Sequence, residues 1–202
     1  NGGGVAVGDI NNDGLTDVFF TGNMVKNRLY LNKGNFEFED ITEKSSVADN
    51  QGWCTGVTMA DVNADGWLDI YVCRSADADP LKRKNLLFIN NHDNTFTEQA
   101  EKYGIGDNGY STHAAFFDYD KDNDLDLVVI NHSLKQYMTG LLDRPGIRLQ
   151  TKPEFSTHLY RNDNIWYTNV TDSAGITSNV LSFGLGVAVS DLNNDGWPDL
   201  YI

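Results

Sequence analysis

The sequence predicts an all-β fold assembled from repeated four-stranded antiparallel units, and three observations carry the prediction. A nine-residue acidic segment occurs four times, at residues 9–17 (DINNDGLTD), 61–69 (DVNADGWLD), 118–126 (DYDKDNDLD) and 191–199 (DLNNDGWPD), each fitting D-x-[DN]-x-D-[GN]-x-x-D. Each copy follows a short run of small and apolar residues (GVAVG, GVTMA, AAFF, GVAVS) and precedes a β-rich one (VFF, IYV, LVVI, LYI), which reads as strand, acidic turn, strand. After three of the copies an Asn or His leads another apolar run, a turn rich in Asn, Gly and Asp follows, and a fourth strand closes the unit.

The first unit covers about residues 3–44, with its third strand at Asn27-Arg-Leu-Tyr, the turn NKGN and a fourth strand ending near Asp40-Ile-Thr. The second covers about 53–101, with Asn85-Leu-Leu-Phe, the turn NNHDN and a last strand near Phe96-Thr-Glu. The third covers about 112–172, with His158-Leu-Tyr-Arg, the turn RNDN and a last strand near Asn169-Val-Thr, and a fourth begins at about 184–202. The loop starts at Asp9, Asp61, Asp118 and Asp191 lie 52, 57 and 73 residues apart. Four strands in a repeat of that size is the arithmetic of a β-propeller blade, and propellers typically close with about 4–8 blades. The expectation is therefore about three and a half blades of a longer propeller, because a complete open arc would leave two long apolar strand edges unprotected. The opening residue, Asn1, and the lack of a basic, hydrophobic, small-residue leader pattern agree with a piece of a longer chain.

Composition narrows the function. The 202 residues (22.5 kDa) carry 29 acidic against 15 basic side chains, a net charge of −14, with a pI near 4.4. So acidic a surface repels phosphate backbones, which argues against nucleic-acid partners and for cations. A content of 40% hydrophobic residues supplies a core and argues against disorder. No stretch approaches the roughly 18–20 uninterrupted apolar residues of a membrane-spanning helix. Cys54 and Cys73 are too few for a disulfide scaffold and wrongly spaced for zinc, and whether they bond depends on a strand register the sequence leaves open.

The acidic loops hold 14 of the 29 acidic residues. Oxygen ligands at loop positions 1, 3, 5 and 9, with a carbonyl at position 7, converge on one centre, and hard carboxylate oxygens in that number select Ca²⁺. Position 6 must turn sharply, and is Gly14, Gly66, Asn123 and Gly196. An EF-hand is excluded, because position 12 is Phe20, Val72, Val129 or Ile202 rather than Glu and the flanks are strands. Turn preference alone explains one such loop, but not four in register, and without a cation their crowded carboxylates would repel one another. Four Ca²⁺, one structural ion per loop, would take the charge from −14 to −6.

The acidic loops, together with the Gly-Val-Ala-Val-Gly, Asn-x-Leu-Tyr-x-Asn and Phe-x-Asp-Ile-Thr segments, resemble the FG-GAP and VCBS repeats of integrin-α-like β-propellers. The resemblance spans essentially the whole chain and is strongest to bacterial VCBS-repeat proteins that often carry an ASPIC/UnbV domain. It implies calcium positions at Asp9, Asn11, Asp13, Leu15 (carbonyl) and Asp17, and at Asp61, Asn63, Asp65, Trp67 (carbonyl) and Asp69. It likewise implies Asp191, Asn193, Asp195, Trp197 (carbonyl) and Asp199, and, in a loop whose Asn123 departs from the usual Gly, Asp118, Asp120, Asp122, Asp124 (carbonyl) and Asp126. It also implies an exported or cell-surface location, periplasmic or outer-membrane-associated in a bacterium, which suits the millimolar calcium outside cells.

In an up-and-down blade the calcium loops share one face with the third-to-fourth turns, and the insertions at 74–84 (RSADADPLKRK) and 132–157 fall on the other. Long loops on a rigid scaffold are where binding concentrates, and integrin-like propellers are similar in using that face. The insertions carry Arg74, Lys82, Arg83, Lys84, Lys135, Arg144, Arg148 and Lys152, a basic patch suited to an anionic glycan or an acidic protein, weighed against intramolecular salt bridges. Trp53 and Tyr110 precede first strands on this face and are stacking candidates, while Trp67 and Trp197 are expected to pack between blades. Gly4, Ala6 and Gly8, like Gly186, Ala188 and Ser190, present small residues for close backbone approach near the axis.

No nucleophile elbow, HExxH, P-loop or dinucleotide fingerprint occurs. His92, His113, His132 and His158 are not metal-spaced, and His113, expected near the axis, is one histidine without a partner. The expected function is a calcium-stabilised protein- or glycan-binding scaffold module. The alternatives are a glycan-active lyase or hydrolase, marked by an acidic, aromatic-lined pocket with a perturbed His or Tyr, and a sugar-binding lectin with equivalent aromatic pockets between blades.

Overall fold

The computed structural model describes residues 2–49, 51–134, 146–177 and 179–202, and only the backbone at Arg148. The first sheet runs β1 (Val5–Gly8), β2 (Asp17–Phe20), β3 (Arg28–Asn32) and β4 (Phe38–Asp40). The second runs β5 (Trp53–Ala60), β6 (Asp69–Ser75), β7 (Leu86–Asn90) and β8 (Phe96–Glu98), and the third β9 (Ser111–Phe117), β10 (Asp126–Asn131), β11 (His158–Asp163) and β12 (Trp166–Asn169). A two-stranded sheet of β13 (Ala188–Ser190) and β14 (Asp199–Tyr201) begins a fourth unit. Every sheet pairs its strands antiparallel in chain order, the up-and-down meander of propeller blades. Two short helices are additions that the strand pattern does not contain: α1 (Pro80–Arg83), capped by the Asp79 carboxylate, inside the first insertion, and α2 (Ala100–Tyr103) after β8.

The blades stack face to face, and each interface is a separate apolar core. Phe19, Leu29 and Leu31 of the first blade meet Val57, Ile70, Val72 and Phe88 of the second. On the other side of the second blade, Tyr71, Cys73, Leu87 and Ile89 meet Ala114, Leu127, Val129 and Tyr167. Val128, Ile130 and Leu159 of the third blade meet Val187, Val189 and Leu200. The period of two therefore divides β6 between two cores, and all seven of its residues are buried, as expected of a strand covered on both faces. The same alternation sends Cys54 to one face and Cys73 to the other, so the register question resolves as two buried free thiols; burial pushes the Cys54 thiol up to about 12.

Close approach at the inner strands needs the small residues. A side chain at Gly4 would bring a Cβ within 2.5 Å of the Thr55 carbonyl, and one at Gly56 within 2.5 Å of the Thr112 carbonyl. Threonines then fasten neighbouring blades: Thr55 Oγ1 donates to the carbonyls of Cys73 (3.2 Å) and Ser111 (2.7 Å), and Thr112 Oγ1 to Ile130 (3.1 Å) and Gly184 (2.9 Å). In the first blade Thr21 substitutes, its Oγ1 donating to the Thr55 carbonyl at 2.6 Å.

Candidate metal centre

The four loops share one backbone. The position-1 carboxylate accepts the N–H groups of positions 5 and 6: Asp9 from Asp13 (3.1 Å) and Gly14 (2.7 Å), Asp61 from Asp65 (3.0 Å) and Gly66 (2.8 Å). Asp118 accepts from Asp122 (3.2 Å) and Asn123 (3.1 Å), and Asp191 from Asp195 (3.2 Å) and Gly196 (2.8 Å). Position 5 accepts the position-7 N–H in every loop, through Asp13, Asp65, Asp122 and Asp195. Position 6 is left-handed throughout, at φ +85, +88 and +84 for the three glycines and +73 for Asn123, so the asparagine adopts the conformation the glycines supply. Position 4 is left-handed too (Asn12, Ala64, Lys121, Asn194), a second sharp turn per loop that alanine and lysine do not advertise.

The ninth-position aspartate ties the loop to the sheet. Asp69 accepts the Val62 N–H (3.1 Å) on one oxygen and the Asn90 N–H of the third strand (2.8 Å) on the other. Asp17 does the same with Ile10 (3.0 Å) and Asn32 (2.8 Å), and Asp126 with Tyr119 (2.7 Å) and Asn162 (2.9 Å). In the fourth loop Asp199 accepts from Leu192 at 2.9 Å. Burial pushes Asp69 and Asp126 up to about 6, against these hydrogen bonds, with neighbouring loop carboxylates adding to the rise.

Donor chemistry fits a hard cation best in the third loop. Among the described residues, Asp118, Asp120 and Asp126 offer carboxylate oxygens within 4.8 Å of one another. The Asp120 and Asp124 Oδ1 atoms are buried there with no hydrogen-bond partner. A buried, undonated carboxylate oxygen is costly, and a cation among Asp118, Asp120 and Asp126 would satisfy that of Asp120. In the other loops Asn11, Asn63 and Asn193 each donate an amide N–H to the position-5 carboxylate, at 3.0, 2.9 and 3.0 Å, which occupies one candidate ligand oxygen with a proton donor. The backbone carbonyls of Leu15, Trp67, Asp124 and Trp197 occupy position 7 as the motif requires.

Adjoining loops touch. The Asn12 amide donates to the Gly66 carbonyl at 3.1 Å, and Lys121 Nζ stands 4.0 Å above the ring of Trp197. Trp67 differs from the expectation of packing between blades. It stacks on His92 of its own blade, with centroids 4.8 Å apart and planes at 14°, because the NNHDN turn folds back beside the loop and His92 Nε2 reaches Asp65 at 3.0 Å.

On the opposite face the described basic residues have partners inside the chain. Arg74 is buried against Asp49. Arg83 donates to the carbonyls of Asp77, Ala78 and Asn108 and lies 4.0 Å over the Tyr110 ring. Lys84 pairs with Glu101, Lys82 with Asp77 (3.8 Å) and Lys152 with Glu154 (3.5 Å). This is the arrangement that intramolecular salt bridging requires. Lys135 and Arg144, and the side chain of Arg148, lie outside the described residues. Tyr110 is half-buried between Arg83 and Phe155 rather than open for stacking, while Trp53 borders a shallow pocket with Gly52 and Asp77. His113 lines a cavity of about 350 Å³ at the inner strands with Gly4, Gly56 and Thr112; its Nδ1 is buried without a partner and burial holds its pKa down.

A polar constellation at the second-to-third blade junction has no counterpart in the acidic motif. Asp107 accepts from the Gly109 N–H (2.7 Å) and the Tyr160 hydroxyl (2.8 Å), and His158 Nδ1 lies 2.5 Å from its Oδ2. Burial opposes the charge on Asp107, yet His158 and these donors hold its pKa below the ordinary value; Asp107 in turn raises that of His158 against burial. Its sequence signal was slight: His158 stands where Asn27 and Asn85 lead the other third strands, and Asp107 reads as a turn residue.

Fold and loops define a repeat protein of the propeller class. The FG-GAP-like repeat family matches residues 5–72 and 75–129, more than half of the chain, and the chain belongs to that family. It is similar to cartilage acidic protein 1 of Xenopus tropicalis, 29% identical over 200 residues, which are 98% of this chain and 28% of that protein. The chain thus spans little more than a quarter of that relative's length.

Proposed function

We propose that this chain is a calcium-stabilised β-propeller module, exported or at the cell surface, that presents the face opposite its acidic loops to a protein or glycan partner. The observation that carries the calcium reading is the third loop, where the carboxylates of Asp118, Asp120 and Asp126 converge and the Asp120 Oδ1 atom is buried without a donor. Up to four ions, one per loop, would join the first strand of each blade to its second and offset the charge of −14. Likeness to a protein named for cartilage and for acidity supports the extracellular part of the reading. A bacterial source and an accompanying ASPIC/UnbV domain remain proposals on the sequence resemblance alone.

The experiment is thermal unfolding of the full-length protein with calcium and with excess chelator, beside metal analysis of the purified sample. Binding to the folded state stabilises by RT ln(1 + [L]/Kd), about 4 kcal/mol per site at a thousandfold excess over Kd. A large fall in melting temperature on chelation, with several calcium ions per chain, is expected. No bound metal and no shift would sink the reading. A second reading, a glycan-active lyase or hydrolase, is favoured by the perturbed Asp107–His158–Tyr160 group, and would be recognised by turnover of a glycan that is lost in His158→Asn.

A further inference from the structure

The first and second blade junctions each hold an aspartate at the same place. The Asp49 carbonyl accepts the Asn27 N–H and the Asp107 carbonyl the Asn85 N–H, and each carboxylate caps the N–H two residues on, at Gln51 and Gly109. The counter-charge differs between the two. At the first junction Arg74 neutralises Asp49. At the second, Asn131 occupies the position of Arg74 in the repeat and its neutral amide reaches Asp107 at 3.4 Å. His158 takes over the charge, from a position that holds asparagine in the other two blades.

The exchange leaves a functional group over. An arginine such as Arg74 is consumed by its burial, whereas the His158 hydrogen bonds to described residues, to Asp107 and Tyr160, both use Nδ1 and leave Nε2 over. Beside it is a pocket of about 330 Å³ bordered by Trp166, Tyr160, Asp107, Asn108 and Glu101, near the lower end of the roughly 300–1,000 Å³ usual for small-ligand sites. Trp166 is 56% exposed, and its indole lies beside Gly104, where an added Cβ would stand 3.1 Å from the ring. An apolar indole face flanked by an oriented imidazole, carboxylates and an amide matches a ligand with one C–H-bearing face and a rim of hydroxyls. Glu101 is paired with Lys84 and Asp107 with His158, so it is the net charge of −14 that disfavours an anion.

We propose that the pocket between Trp166 and the Asp107-held His158 binds an uncharged saccharide, its ring stacked on the indole and a hydroxyl bonded to His158 Nε2. The proposal rests on the binding-module reading and locates its ligand site. Saturation-transfer NMR on the full-length protein in millimolar calcium tests it, with methyl glucoside, methyl galactoside and methyl mannoside as probes and methyl glucuronide as the charged comparison. Transfer to at least one neutral glycoside is expected, lost in Trp166→Ala, an exposed change that leaves the fold intact, and in His158→Asn, which restores the residue of the other blades. No transfer to any neutral probe, transfer that survives in either variant, or stronger transfer to the glucuronide would overturn it. The calcium-dependent thermal shift is read on the same samples: a shift without transfer removes the saccharide site and leaves the calcium-stabilised propeller standing.

Discussion

At the scale of single residues, the Asp107–His158 pair makes the clearest pH prediction. His158 is 14% and Asp107 1% exposed at the side chain, so the pair sits in a low-dielectric site where an unmatched charge is expensive. His158 has its pKa raised above 6.5, so its contribution is complete below that value and is lost as pH rises through the raised one. Asp107 has its pKa lowered below 3.8, so its contribution is complete above that value and is lost as pH falls through the lowered one. The groups facing the imidazole are the Asp107 carboxylate, the Tyr160 hydroxyl and, at longer range, Asp172. Denaturant unfolding of calcium-loaded protein should therefore show His158→Asn costing about 3 kcal/mol near pH 6, the lower end for breaking a buried pair. The gap should narrow as pH climbs past the histidine's raised value; a gap independent of pH would mean that the pair is not ionised in the folded protein.

At the scale of elements, the loop conformation and the threonine links each make a prediction. Gly66 at φ +88 and Asn123 at φ +73 occupy equivalent turns. Gly66→Ala should cost about 1–2 kcal/mol by forcing a Cβ into the left-handed region, while Asn123→Gly should stay within about 0.5 kcal/mol of the parent; equal effects would deny that the turn conformation decides. Thr55→Val keeps the shape but removes the donor shared by the Cys73 and Ser111 carbonyls, and should cost about 1–3 kcal/mol in the same measurement. A neutral result would mean that these carbonyls find other donors. The acidic loops and the four-strand order were legible because they depend on residues close in the chain. The threonine links, the stacking of Trp67 on His92 and the use of His158 in place of asparagine were not, because each depends on which residue of a neighbouring strand or blade faces it. In the inserted loops, likewise, charge was readable, but not which groups would meet it: the carboxylates of Asp49 and Glu101 for Arg74 and Lys84, and backbone carbonyls for Arg83.

At the scale of the whole molecule, three separate cores joined in series mean that each blade leans only on its neighbours, so stability is a sum of blade and interface contributions. Charge is the property that acts on all of them together. With 14 of the 29 acidic residues gathered in the loops, repulsion is concentrated at the strand connections that must stay closed for the blades to stack. Two agents relieve it differently: calcium would offset two charges in each loop locally and take the net charge from −14 to −6, whereas simple salt screens over a Debye length of about 10 Å at 0.1 M. Raising sodium chloride from about 0.05 to about 0.5 M, which shortens that length severalfold, should therefore raise the melting temperature of the chelated protein clearly and that of the calcium-saturated protein much less. Equal salt slopes with and without calcium would show that the loop carboxylates are not the source of the repulsion. A steep slope confined to the chelated protein would instead tie the acidity of the whole chain to the ions that hold its blades closed.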